Sequence, residues 1–105
     1  MIHHIEGSHV IDEVLKSEKL VIVDFFAVWC APCQMLTDVL REIDKRYSEV
    51  VEIFKVDVDE MQEVAIRYEI TAMPTLIFFK DGVEVDRKVG FIEVEELENI
   101  VKELN

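Results

Sequence analysis

Cys30 and Cys33 are the only two cysteines in this 105-residue chain, and two residues separate them. Disulfide reduction needs a thiolate that attacks one sulfur, then a second thiol close enough to displace the product from the mixed disulfide. A Cys-x-x-Cys pair meets both needs, with Cys30 as the attacking thiol and Cys33 as the resolving one. The same spacing occurs in zinc knuckles, so the bare pair leaves a metal half-site or a buried structural pair standing as alternatives. A tetrahedral zinc site wants four ligands, and no second cysteine pair is present to supply them. His3, His4 and His9 would contribute only if the N-terminus lay beside the cysteines. No metal and no cofactor is expected.

The elements around the pair give it its chemistry. Pro32 suits the first turn of a helix, and Met35, Leu36, Val39, Leu40, Ile43 and Tyr47 then trace one apolar face. Both cysteines therefore fall at a helix N-terminus, where free backbone N–H groups and the helix dipole favour a thiolate. Before them, Leu20 to Phe26 is an almost unbroken apolar, β-branched run, the mark of a strand covered on both faces, with one carboxylate, Asp24, inside it. A carboxylate in such a strand is costly to desolvate, which pushes its pKa up.

Ser8 is read as an N-cap, with Val10, Ile11, Val14 and Leu15 forming a short helix that ends near Lys19. Val50 to Val58 reads as a second buried strand. Met61, Val64, Ala65 and Tyr68 suggest a short helix after it. Thr75 to Lys80 and Val83 to Val89 are strands joined by Asp81-Gly82, a strong hairpin turn. Val94, Leu97, Ile100, Val101 and Leu104 make a closing amphipathic helix that covers one face of the sheet. The sum is α/β: βαβ units followed by a hairpin and a helix, giving a mixed sheet of four or five strands between helices.

The length fits one domain, residues 1–105, and no linker or repeat interrupts it. Acidic side chains outnumber basic ones 23 to 11, for a formal charge of -12, and such a field repels phosphate backbones, so nucleic acid is not an expected partner. Met1 to Ser8 has no secretory-signal pattern and no run approaches a membrane span, which points to the cytoplasm. There a lone Cys-x-x-Cys is catalytic or metal-binding more often than structural.

The sequence resembles the thioredoxin family over nearly its whole length. The carriers are Val23-Asp24-Phe25-Phe26-Ala27-Val28-Trp29-Cys30-Ala31-Pro32-Cys33, Lys55-Val56-Asp57-Val58-Asp59, Met73-Pro74-Thr75, Phe79-Lys80-Asp81-Gly82 and Val89-Gly90. The resemblance implies the thioredoxin fold, with the redox pair opening the second helix and a cis proline, Pro74, facing it. It implies a protein-disulfide reductase acting in cell redox homeostasis: a monomer with disulfide-containing protein substrates and a thioredoxin-reductase-type electron donor. It gives Asp24 the role of proton acceptor, through water, for Cys33, and Lys55 that of tuning Asp24. It also implies an apolar contact rim of Trp29, Pro32, Met73, Pro74 and Gly90, with the Met73 backbone pairing an extended substrate segment.

Four positions depart from the common family pattern. Ala31 stands where glycine is usual, Phe26 where a second tryptophan is common, and Asp38 where many members have a helix-kinking proline; Gln34 replaces a frequent basic residue. Ala31 bears on the reduction potential, because residues between the cysteines tune thiolate stability. Absence of proline at position 38 predicts a straighter helix. Two other classes stay open: a binding module that uses the groove without turnover, and two chains sharing an iron-sulfur cluster through their cysteine pairs.

Overall fold

A computed structural model describes residues 1–7 and 10–105. In chain order its elements are β1 (Ile2–His4), α1 (Val10–Val14), β2 (Leu20–Phe26), α2 (Ala31–Tyr47), β3 (Val51–Asp57), α3 (Gln62–Arg67), β4 (Thr75–Lys80), β5 (Val83–Val89) and α4 (Val94–Leu104). The strands form one sheet in the order β1-β3-β2-β4-β5. The first three run parallel, and β4 and β5 are antiparallel additions.

The period-2 alternation of β2 divides the core. Leu20 and Ile22 point to the face covered by α2 and α4, where they pack with Leu36, Leu40, Leu76 and Leu97. Val21, Val23 and Phe25 point to the other face and pack with Ile11, Phe54, Val64 and Phe79. Leu40 is fully buried, so Leu40→Ala would cost about 2–5 kcal/mol through lost burial and the cavity left behind. By the same alternation Asp24, at the next even position, points into the α2 face. It is the polar member of an apolar row.

The hairpin forms as its sequence predicts. Asp81 and Gly82 both have positive φ, 52° and 80°, which is what a two-residue type I′ turn demands. One strand goes beyond the sequence reading and two expectations need correction. The N-terminal strand β1 is absent from the pattern reading, because three residues are too few to show a period; its place is fixed by pairing with β3. The first helix ends at Val14 rather than near Lys19, and the residues after it form turns. The Ser8 cap lies outside the described residues. Met35 does not belong to the apolar face of α2, since it is 57% exposed while Leu36, Val39, Leu40 and Ile43 are buried.

Candidate active site

Three chain segments meet at the start of α2. The loop leaving β2 is closed by the Cys30 N–H donating to the Ala27 carbonyl at 3.2 Å. Pro32 lies in the first turn of α2, where its missing N–H costs nothing. Cys30 is the N-cap: its Sγ accepts the N–H of Cys33 at 3.3 Å. That N–H is aimed at the atom that carries the charge when Cys30 is a thiolate. Gln34, on the next turn, donates from Nε2 to the Val28 carbonyl at 2.9 Å and ties the loop to the helix.

Cys30 and Cys33 are joined in a disulfide, with Cα atoms 5.3 Å apart. Cys30 retains 7% of its surface and Cys33 only 2%, so a sulfur arriving from solvent meets Cys30 first. Among the described residues no cluster of side chains is arranged to hold a metal ion.

Asp24 and Lys55 are register partners on β2 and β3. Asp24 is completely buried and Lys55 nearly so, with Lys55 Nζ 3.2 Å from Asp24 Oδ2. The attraction is one of charge: neither carboxylate oxygen accepts a well-aligned hydrogen bond. Burial dominates and holds the Asp24 carboxyl above its usual range, while the Lys55 ammonium pulls it back in part and His4 adds a smaller pull in the same direction. Lys55 Nζ also donates to Thr37 Oγ1 at 2.8 Å, and it sits 4.7 Å from the centre of the Phe26 ring. Thr37 donates in turn to the Cys33 carbonyl at 3.3 Å, so the buried pair reaches the active-site helix through Thr37. Sequence patterning missed Thr37, because its spacing from Lys55 is meaningful only after the register of β3 on α2 is known.

On the opposite side of the disulfide, the Met73-Pro74 peptide bond is cis. The Met73 carbonyl oxygen lies 3.7 Å from Cys30 Sγ. Pro74 is buried and its carbonyl accepts the Gly90 N–H at 2.8 Å, which fixes the two loops side by side. Gly90 has φ +94°, and open space lies where a side chain would project. A residue there other than glycine would strain the backbone. Trp29 is 67% exposed, which rules out core packing, and its Nε1 donates to Asp59 Oδ2 at 2.9 Å. Asp59 thus fixes the orientation of the exposed indole. Of the residues that the sequence nominates, Met73, Pro74 and Gly90 are linked on one side of the disulfide, Trp29 and Pro32 flank Cys30 in the chain, and Asp24 and Lys55 connect to Cys33 through Thr37.

Comparison with known proteins points the same way. The family model described as Thioredoxin matches residues 2–103. A thioredoxin of Mycoplasmoides gallisepticum is 42% identical over 101 residues, covering 94% of this chain and 98% of its own. Among solved structures, the thioredoxin of Malassezia sympodialis superposes with a TM-score of 0.88 at 35% identity, covering 98% of this chain and 90% of that one. Plasmodium falciparum thioredoxin gives 0.88 at 34% identity, covering 97% and 98%.

Proposed function

The chain belongs to the thioredoxin family and is a thiol-disulfide oxidoreductase, and from that premise we propose the part each residue plays. Membership brings disulfide-containing substrates and a reductase partner that returns the electrons. The observation that carries the assignment of roles is the asymmetry of the pair: Cys30 is the more accessible sulfur and caps the helix, whereas Cys33 is enclosed.

In the reduced protein the Cys30 thiolate attacks a substrate sulfur and the substrate disulfide breaks, leaving a mixed disulfide. Cys33 then loses its proton, through water, to the Asp24 carboxylate and attacks Cys30 Sγ. The second substrate sulfur departs, and the Cys30-Cys33 disulfide remains. Asp24 suits this task because burial gives it an unusual hold on a proton, while Lys55 keeps the ionised form accessible. The Met73 backbone, beside Cys30 Sγ, pairs with an extended substrate segment, and Trp29, Pro32, Pro74 and Gly90 form the rim against which it lies.

Residues 1–105 act as one domain and as a monomer in the cytoplasm. Among the described residues no helix is long and apolar enough to cross a membrane. The reductive direction is tested by insulin reduction with dithiothreitol as donor. The protein accelerates it and Cys30→Ser does not; a Cys30→Ser variant as active as wild type would overturn the assignment.

A further inference from the structure

A pocket of about 400 Å³ opens between β1 and α2, on the side of the disulfide away from Met73 and Pro74. It is graded from wet to dry. His4, Gln34 and Arg41 are exposed at its mouth, while Cys33 and Lys55 are buried at its inner end. None of the described lining residues is acidic. The volume exceeds the roughly 30 Å³ share of one water many times over, so Lys55 and Cys33 have a hydratable route to solvent, and Asp24 lies behind Lys55, 3.2 Å from its ammonium.

His4 stands at the outer end of a row of titratable groups. It is the register partner of Lys55, which is the register partner of Asp24, and partners at one level of a parallel sheet project to the same face. With strands about 4.8 Å apart, His4 and Asp24 are separated by roughly 10 Å along the row. The imidazole meets Phe26 edge-on at 6.3 Å, and that ring also carries the Lys55 ammonium. The charges around the row are few: Arg41 of α2 pairs with Asp38, and the N-terminal ammonium pairs with Asp44 of the same helix.

We propose that His4 is a relay residue for the resolving step, taking up through this pocket the proton that Asp24 accepts from Cys33 and handing it to solvent. The inference rests on the proton-acceptor role given to Asp24 above. When Cys33 attacks Cys30, the Cys33 S–H bond breaks and the proton forms an O–H bond on Asp24. Asp24 has no exposed surface from which to lose it. Until the proton departs, the expelled substrate thiolate can attack back on a site still poised for the reverse reaction. Imidazole is the side chain suited to pass protons near neutral pH. Water in the pocket spans the distance that no direct contact covers.

The experiment follows protons and sulfur separately. Dithiobis(nitrobenzoate) yields thiolates that stay ionised, so at a pH high enough for Cys30 to start as a thiolate each oxidised site releases one proton, the one from Cys33, to solution. Trp29 is the only tryptophan, and its fluorescence reports disulfide formation in a stopped-flow mixer while a pH-indicator dye reports the proton. In wild type the two signals coincide. In His4→Ala the fluorescence change keeps its rate and the proton lags by roughly 5-fold, less than direct general-base loss costs because the relay is one step removed. Low concentrations of free imidazole remove the lag, and His4→Gln, which retains a polar side chain on the exposed end of β1, does not. Coincident signals in His4→Ala, or full recovery in His4→Gln, would overturn the relay. Asp24→Asn separates the two readings: slowed disulfide formation supports the acceptor role whatever His4 does, and an unchanged rate defeats that role itself.

Discussion

The two ends of α2 hold ion pairs built from ordinary residue types, and the chain uses them for opposite ends. At the C-terminal end Arg46 bonds Glu42 at 3.0 Å and Glu98 of α4 at 3.2 Å, while the Tyr47 hydroxyl donates to Glu98 at 2.8 Å. The Tyr47 hydrogen bond, followed by that from Arg46, holds the Glu98 carboxyl below its usual range. At the N-terminal end Asp24 and Lys55 are buried, the carboxylate oxygens lack aligned donors, and the Asp24 carboxyl is held above its usual range. A satisfied, hydrated pair fastens α4 to α2. A buried, under-satisfied pair is a poor fastener; it reaches the backbone of Cys33 through Thr37, and its raised carboxyl suits the proton-accepting part proposed for it.

Substitutions at the two ends test this contrast, and the largest effect is at the sulfur itself. Cys30→Ser should lower insulin-reduction turnover roughly 10³-fold or more, since no other thiol can begin the exchange, whereas Glu98→Gln should leave turnover at the wild-type rate. Next comes Asp24→Asn, which should slow release of the mixed disulfide by about 10²-fold, the low end of general acid–base contributions, with a much smaller effect on the first attack. Single-turnover kinetics with a labelled disulfide separates the two steps. Equal slowing of both would erase the distinction between the ends.

A third effect is in stability. Folding raises the Asp24 carboxyl above its unfolded value near 3.8, so the folded state binds this proton more tightly. Asp24 therefore subtracts stability as pH rises from about 3.8 through the raised value, and it subtracts nothing below that window. Chemical denaturation of wild type and Asp24→Asn across that range should show wild type losing stability relative to the variant as pH increases. The slope is the reading, because Asp24→Asn also leaves Lys55 without its counter-charge. Glu98 acts with the opposite sign: its contribution is present above its unfolded value near 4.5 and is lost as pH falls through the lowered one. The smallest effect is thus that of Glu98→Gln on melting temperature, a slight drop that shrinks in high salt and at acid pH.

How much of this was legible in the sequence follows from the range of the forces involved. The β2 run, the Asp81-Gly82 turn and the α4 stripe are local patterns, and each appears in the structure over the predicted residues. The cysteines, Asp24 and Met73-Pro74 were legible through a motif whose members are distant but distinctive. The parts of Thr37 and Asp59 were not, although Asp59 belongs to a quoted motif, because a threonine on a helix and an aspartate after a strand are ordinary until the fold sets them 2.8 Å from Lys55 and 2.9 Å from the Trp29 indole. Met35 misled for a related reason: a methionine at helical spacing reads as core, and here it sits at the exposed edge of the stripe. The short strand β1 is fixed by its partner β3, so His4 acquires its place in the row only in three dimensions.

In the proposed order Cys30 acts first and Cys33 second, and trapping distinguishes the two sulfurs. Mixing each single cysteine-to-serine variant with a disulfide-bearing protein and resolving the products on a non-reducing gel shows which sulfur holds the substrate. Cys33→Ser should accumulate a covalent complex through Cys30, and Cys30→Ser should accumulate little or none. A stable complex through Cys33 in the Cys30→Ser variant, with none in Cys33→Ser, would reverse the roles of the two cysteines.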